Sequence, residues 1–200
     1  MINSLFRPLH WLYLGLIVGL IIGAPYSTEW RDILVFSTEQ PWQLWRLLSG
    51  HFSHWSWAHW GLNISGLFVY ILLFYPHSGT QWRQKNHCLD TAAFLRALLF
   101  VLLCSNLYLV FAFPLSFYLG FSSLLYGVYA YSAVRCFPAE RMINGAILLI
   151  IGLQIQPWFI LHDSKTLIGL SPAKDVHLVA VLSGLVMAFG EQGLKVIRSR

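Results

Sequence analysis

A chain of 200 residues that is 57% hydrophobic, 16% aromatic and only 10% charged is too apolar for an ordinary water-soluble domain. Its net charge of +5 comes from basic residues scattered at the ends of apolar segments, with no aromatic-interleaved basic patch, which argues against a nucleic-acid surface and for topology signals. No linker, low-complexity tract or charge run divides the chain, so residues 1–200 are expected to form a single all-α membrane domain.

The first apolar segment, about 9–25, follows Arg7 and is followed by no convincing small-x-small cleavage site, so it reads as a first span and not as a signal peptide. From Ala24 to Trp57 the chain is mixed and aromatic, too polar to span and too apolar to be free in water; an interfacial loop fits, because tryptophan favours the headgroup level. Further spans are expected at about 58–75, 92–113, 116–134, 142–161 and 175–196, each near the roughly 17 to 25 residues that cross the hydrocarbon. Six spans put both termini on one side. With the termini cytoplasmic, Lys and Arg divide nine to four in favour of the inner side, which sets that orientation. Cys88, Cys104 and Cys136 show no Cys-x-x-Cys pairing and lie toward the cytoplasm, so three free thiols are expected.

This topology brings the second, fourth and sixth helices into the membrane from the outer side, and their outer ends carry the unusual residues. His59 and Asn63 are one turn apart on the second helix, with His51 and His54 just before it. Gly120, Ser122 and Tyr126 open the fourth helix, and Asp175 and His177 open the sixth, followed by Ser183 and Gly184. Polar and ionisable groups within a membrane are costly and face a protein interior or a wet cavity. Taken singly, each has a plain structural reading. Ser122 can return its hydrogen bond to the preceding turn, His59 can tie the first loop to the second helix, Gly127 and Gly184 can be close-packing positions, and Asp175 can be a solvated loop end. Three histidines can also hold a metal, though no acidic ligand or zinc spacing accompanies them. Together the residues offer nucleophilic attack: Ser122 as nucleophile, His177 as base, and Asn63, His54 and the Ser122 backbone N–H as oxyanion donors. With no carboxylate one turn from His177, a catalytic dyad is expected and not a triad.

These residues resemble the rhomboid family of intramembrane serine proteases. The family's His-x4-His-x3-Asn pattern is matched by His54, His59 and Asn63, its Gly-x-Ser with a later tyrosine by Gly120, Ser122 and Tyr126, and its sixth-helix histidine and glycine by His177 and Gly184. Trp45-Arg46 matches a pair in the family's first loop. The resemblance implies a six-transmembrane-helix rhomboid-like bundle, a Ser122–His177 dyad, an oxyanion hole of His54, Asn63 and Ser122, supporting roles for His59, Gly120 and Tyr126, with Tyr126 packed on His177, and no cofactor or metal. The stretch Trp45 to His51 and the Asp175-Val-His177-Leu segment look most like the rhombosortase subgroup. That likeness implies a multi-pass protein of the bacterial inner membrane with its active site toward the periplasm. The implied substrate is a membrane-anchored protein with a Gly-Gly C-terminal sorting tail, entering between the second and fifth helices near Leu62, Gly66, Pro157 and Trp158. Two positions depart from the family: Ser123 and Ala180 stand where glycines are usual. Added bulk there widens the dyad or marks an inactive relative that binds membrane clients, which is the alternative reading.

Overall fold

The computed structural model of the protein describes residues 7–74, 91–112, 116–136 and 174–198. Within them lie seven helices and one two-stranded sheet. In chain order these are α1 (Arg7–Ile22), α2 (Thr28–Leu34), β1 (Phe36–Ser37), α3 (Arg46–Phe52), α4 (Trp57–Phe74), α5 (Thr91–Phe111), β2 (Phe117–Tyr118), α6 (Ser122–Cys136) and α7 (Lys174–Arg198). The expected first, second, third and sixth spans correspond to α1, α4, α5 and α7, while the expected fifth span at 142–161, with Pro157 and Trp158, lies outside the described residues. Two described segments, Ala92–Phe111 and Asp175–Leu194, are long and apolar enough to cross a membrane, and Trp11–Ile22 is a shorter apolar helix.

The fourth expected span differs. It was to begin at residue 116, but the helix starts at Ser122 because Phe117 and Tyr118 are extended and pair antiparallel with Ser37 and Phe36. Backbone groups engaged in that ladder are withheld from an α-helix. The loop expected over 24–57 is also more ordered than its composition suggests. Ser27 Oγ accepts the Trp30 N–H and caps α2, and Arg46 donates to the carbonyls of Asp32 and Val35, each at 2.7 Å, fastening the C-terminal end of α2 onto α3. The Trp45-Arg46 pair therefore closes this loop through its arginine.

Leu20, Tyr70, Phe94, Val101, Leu124 and Ala180 join α1, α4, α5, α6 and α7 in one buried cluster. The most extensive helix pairing is α6 with α7. Polar bonds then fix the register of α6 against α4: Tyr70 Oη meets Ser132 Oγ at 2.8 Å, and Tyr129 Oη donates to the Gly66 carbonyl at 2.8 Å. At the other end of α7, Glu191 receives Arg96 of α5 and both Tyr131 and Arg135 of α6, so one carboxylate ties three helices. Cys104 is a free thiol; the side chains of Cys88 and Cys136 lie outside the described residues.

Candidate active site

α6 begins abruptly. Gly120 takes φ +126°, a backbone conformation that side-chain-bearing residues rarely adopt, and Leu125 N–H bonds the Phe121 carbonyl as the first turn of the helix closes. Ser122 is thus the first helical residue, and its N–H has no carbonyl one turn earlier in the helix to receive it. Its hydroxyl points at α7, where Ser122 Oγ lies in hydrogen-bond contact with His177 Nε2 at 2.7 Å. Both side chains are nearly buried, at 6% and 5% exposure, so the pair is shielded from bulk water while keeping a small opening. The Tyr126 ring lies against His177 with centroids 4.9 Å apart.

Small residues allow this approach. A Cβ on Gly184 would overlap the Gly127 carbonyl, and one on Gly127 would meet the Ala180 carbonyl at 2.9 Å as well as Val101. Gly127 and Gly184 are therefore close-packing positions, which lets α6 and α7 come together with Ala180 fully buried between them. With alanine at position 180, Ser122 Oγ and His177 Nε2 stand 2.7 Å apart.

α4 supplies the third side. A Cβ on Gly120 would lie 2.8 Å from His59 Cε1, 2.9 Å from His59 Nε2 and 3.7 Å from Ser122 Oγ, so the His59 imidazole occupies the space beside Ser122 that glycine leaves open. His54 stands behind His59, ring edge to face at 5.1 Å, and its Nδ1–H donates to the Gly23 carbonyl at 3.3 Å. Gly23 must be small because a Cβ there would overlap the Phe52 carbonyl. One turn along α4, Asn63 is buried and its Nδ2 has no partner among the described residues, a condition shared by His59 Nδ1 and His54 Nε2. Three buried polar atoms unpaired among the described residues thus lie in one neighbourhood, where a water or a polar ligand would satisfy them.

The expected residues Ser122, His177, Tyr126, Gly120 and His59 thus come together, with His54 bonded away toward α1 and His59 taking the place beside Ser122. Asp175 is exposed and accepts a bond from Tyr108, so it does not complete a triad. Among the described residues no group of three His, Cys, Asp or Glu side chains is arranged to hold a metal. Sequence reasoning missed Tyr118 and Asn106, and gave His51 no role beyond a metal ligand; all three join Ser123 in a chain of contacts beside Ser122, buried except at the half-buried Asn106.

Burial holds the His51 imidazole down at about 4 and, with the neighbouring His59, holds His54 at about 3, against an ordinary 6.5. Both remain neutral in the fold, whereas the unfolded chain takes up protons as the pH drops below 6.5. Their contribution to stability is complete above that pH and is lost as the pH falls toward 4. The melting temperature in detergent is expected to be level between about pH 7 and 8 and to fall between about 6.5 and 4, with a shallower fall in His51→Gln. A melting temperature that does not fall through that window would show that these imidazoles titrate as solvated groups.

In comparisons with known proteins, the sequence matches no protein-family model and no curated protein.

Proposed function

We propose that this protein is a rhomboid-type intramembrane serine endopeptidase, and the observation that carries the reading is the 2.7 Å contact between Ser122 Oγ and His177 Nε2. The two residues are separated by 55 positions and sit at the starts of different helices. A packing serine bonds within its own helix, as Ser183 does to the Val179 carbonyl, whereas Ser122 spends its hydrogen on an imidazole across a helix interface.

In the proposed reaction the Ser122 oxygen attacks the scissile carbonyl while its proton passes to His177 Nε2. Among the described residues no carboxylate is bonded to the imidazolium so formed, and the Tyr126 ring, within cation–π distance, stabilises it. The oxygen of the tetrahedral intermediate is received by the Ser122 N–H, Asn63 Nδ2 and His59 Nε2–H, with His54 holding the His59 ring. His177 then gives its proton to the leaving amine, and water resolves the acyl-enzyme by the same route. No cofactor enters these steps. A helical substrate hides its carbonyls, so a Gly-Gly segment that unwinds readily is the fitting cleavage site.

The membrane setting rests on exposure as well as composition. In the two long apolar segments only 33% and 39% of residues are buried, and Leu99, Leu103, Leu107, Leu182 and Val186 face outward. An apolar helix with an apolar outer surface belongs in lipid. In this reading the apolar segments give a six-span bundle, the nine-to-four division of Lys and Arg gives cytoplasmic termini with the site toward the outer side, and the likeness to rhombosortases gives the bacterial inner membrane.

A serine-reactive fluorophosphonate tests the reading. The detergent-solubilised protein is expected to be labelled, with labelling lost in Ser122→Ala. An unlabelled wild-type protein would favour an inactive, client-binding relative. Tyr126→Phe keeps the ring and is expected to stay within about threefold of the wild-type rate, while Tyr126→Ala falls by roughly tenfold; equal rates in the two variants would remove the ring from the mechanism.

A further inference from the structure

The dyad leaves a second buried polar chain without a purpose. Ser123 is fully buried and so cannot meet a substrate, yet its Oγ lies 2.6 Å from Tyr118 Oη and 3.2 Å from His51 Nδ1. His51 Nε2 lies 3.0 Å from Asn106 Oδ1, and the Tyr118 hydroxyl donates to the Gly120 carbonyl at 2.8 Å. Side chains of α3, α5, β2 and α6 thus form one line that ends on the turn before Ser122.

Hydrogen counting gives the line a direction. A tyrosine has one hydroxyl hydrogen, and here it goes to Gly120, so the Tyr118 oxygen must accept from Ser123 Oγ–H. Ser123 Oγ in turn accepts from His51 Nδ1–H, which leaves His51 Nε2 as an acceptor. That direction requires the Asn106 amide to be turned over, so that its NH2 faces the nitrogen in place of the Oδ1 that lies there, an exchange that leaves the side chain's shape unchanged. Every link carries one hydrogen, all point toward Gly120, and each bond polarises the next. The Ser123 backbone N–H also reaches the Tyr118 oxygen, so the phenol caps the start of α6 as well.

The far end of the line is the Gly120 turn, which is held on both sides. Its N–H donates to the Gly50 carbonyl at 2.9 Å, and its carbonyl receives Tyr118. The Gly120 carbonyl fixes the plane of one peptide unit, and the next unit carries the Ser122 N–H. We propose that Asn106, His51, Ser123 and Tyr118 are positioning residues that clamp the Gly120 carbonyl and thereby aim the Ser122 N–H at the developing oxyanion. This rests on the serine-protease reading above. Ser123, which stands where the resembling family has glycine, is on this account the link that joins His51 to Tyr118.

The test reads fluorophosphonate labelling as a function of probe concentration, separating the maximal rate from the half-saturating concentration, with melting temperature recorded for each variant. Tyr118→Phe and Ser123→Ala are each expected to lower the maximal rate about tenfold, short of the roughly 10²–10³ lost with an oxyanion donor itself, with half-saturation unchanged. The double variant is expected to be no slower than the slower single one, because a broken line is not broken twice. Rates in both single variants equal to wild type, or a double variant slowed about a hundredfold, would overturn the relay while leaving the protease reading intact. A ¹⁵N-histidine spectrum of the whole protein, with His51 assigned by its loss in His51→Gln, is expected to show His51 protonated at Nδ1 and changed in Ser123→Ala. Protonation at Nε2 would overturn the relay even in an active enzyme, and a wild-type protein that takes no label would overturn the protease reading and the relay together.

Discussion

Ser122→Ala and His177→Ala are each expected to lower cleavage of a membrane substrate with a Gly-Gly tail by about 10⁴-fold or more, and the double variant is expected to be no worse than either. The two side chains act as a unit: without His177 the Ser122 hydroxyl has nowhere to send its proton, and without Ser122 the imidazole has no nucleophile to activate. What survives comes from the polar groups around the site, and those have their own expected sizes. Removing one oxyanion donor, as in Asn63→Ala or His59→Ala, is expected to cost about 10²–10³ in turnover. His54→Ala acts one ring farther away, through His59, and its loss should be smaller than that of His59→Ala. Cleavage followed by gel in detergent, with His177→Ala and Ser123→Ala run beside wild type, orders these losses. Cleavage that persists in Ser122→Ala and disappears in Ser123→Ala would reassign the nucleophile. Full activity in His177→Ala would dismiss the dyad, since among the described residues no second imidazole is bonded to the Ser122 hydroxyl.

The pairing of Ser122 with His177 was legible in the sequence because both stand out as polar residues at the starts of otherwise apolar helices, and topology alone gave them a common depth. His59 and Tyr126 were legible through their one-turn spacing from Asn63 and Ser122, and Gly120 through its place two residues before Ser122, although the sequence reading set His54, and not His59, among the oxyanion donors. The start of α6 was not. Leu115 to Leu119 is as apolar as the helix that follows, and the ladder that keeps Phe117 and Tyr118 extended is made with Phe36 and Ser37, far away in the chain. Periodicity within a segment carries no trace of such a partner. The order between residues 24 and 57 was hidden similarly: Arg46 folds that loop by donating to two backbone carbonyls, which have no sequence signature. His51 looked like a spare histidine, and Ser123 like a departure from a family pattern. Only their mutual contact, across 72 positions, gives either a use.

Gly184→Val is expected to separate α6 from α7 and to remove activity and stability together. The atoms that a Cβ at position 184 meets are the carbonyl of Gly127 and the amide nitrogen of Tyr131, the latter at 3.1 Å, and both are backbone. Backbone cannot swing aside as a flexible side chain does, so the helices themselves must part. A hydrogen bond of 2.7 Å does not survive a helix displacement of about an ångström. Overpacking of this kind costs about 1–3 kcal/mol for a single methyl, so Gly184→Ala already approaches the effect and valine exceeds it. Gly190 lies on the same helix with nothing among the described residues within 4 Å of its Cβ position, and Gly190→Ala is expected to be neutral or to stabilise α7 by up to about 1 kcal/mol. The two alanine substitutions have the same chemistry in the same helix, so a difference in melting temperature between them measures the closeness of α6 and α7 and nothing else about glycine. If Gly184→Ala melts with Gly190→Ala and keeps its probe labelling, the helices are not in the contact that brings Ser122 to His177, and the dyad geometry fails with it.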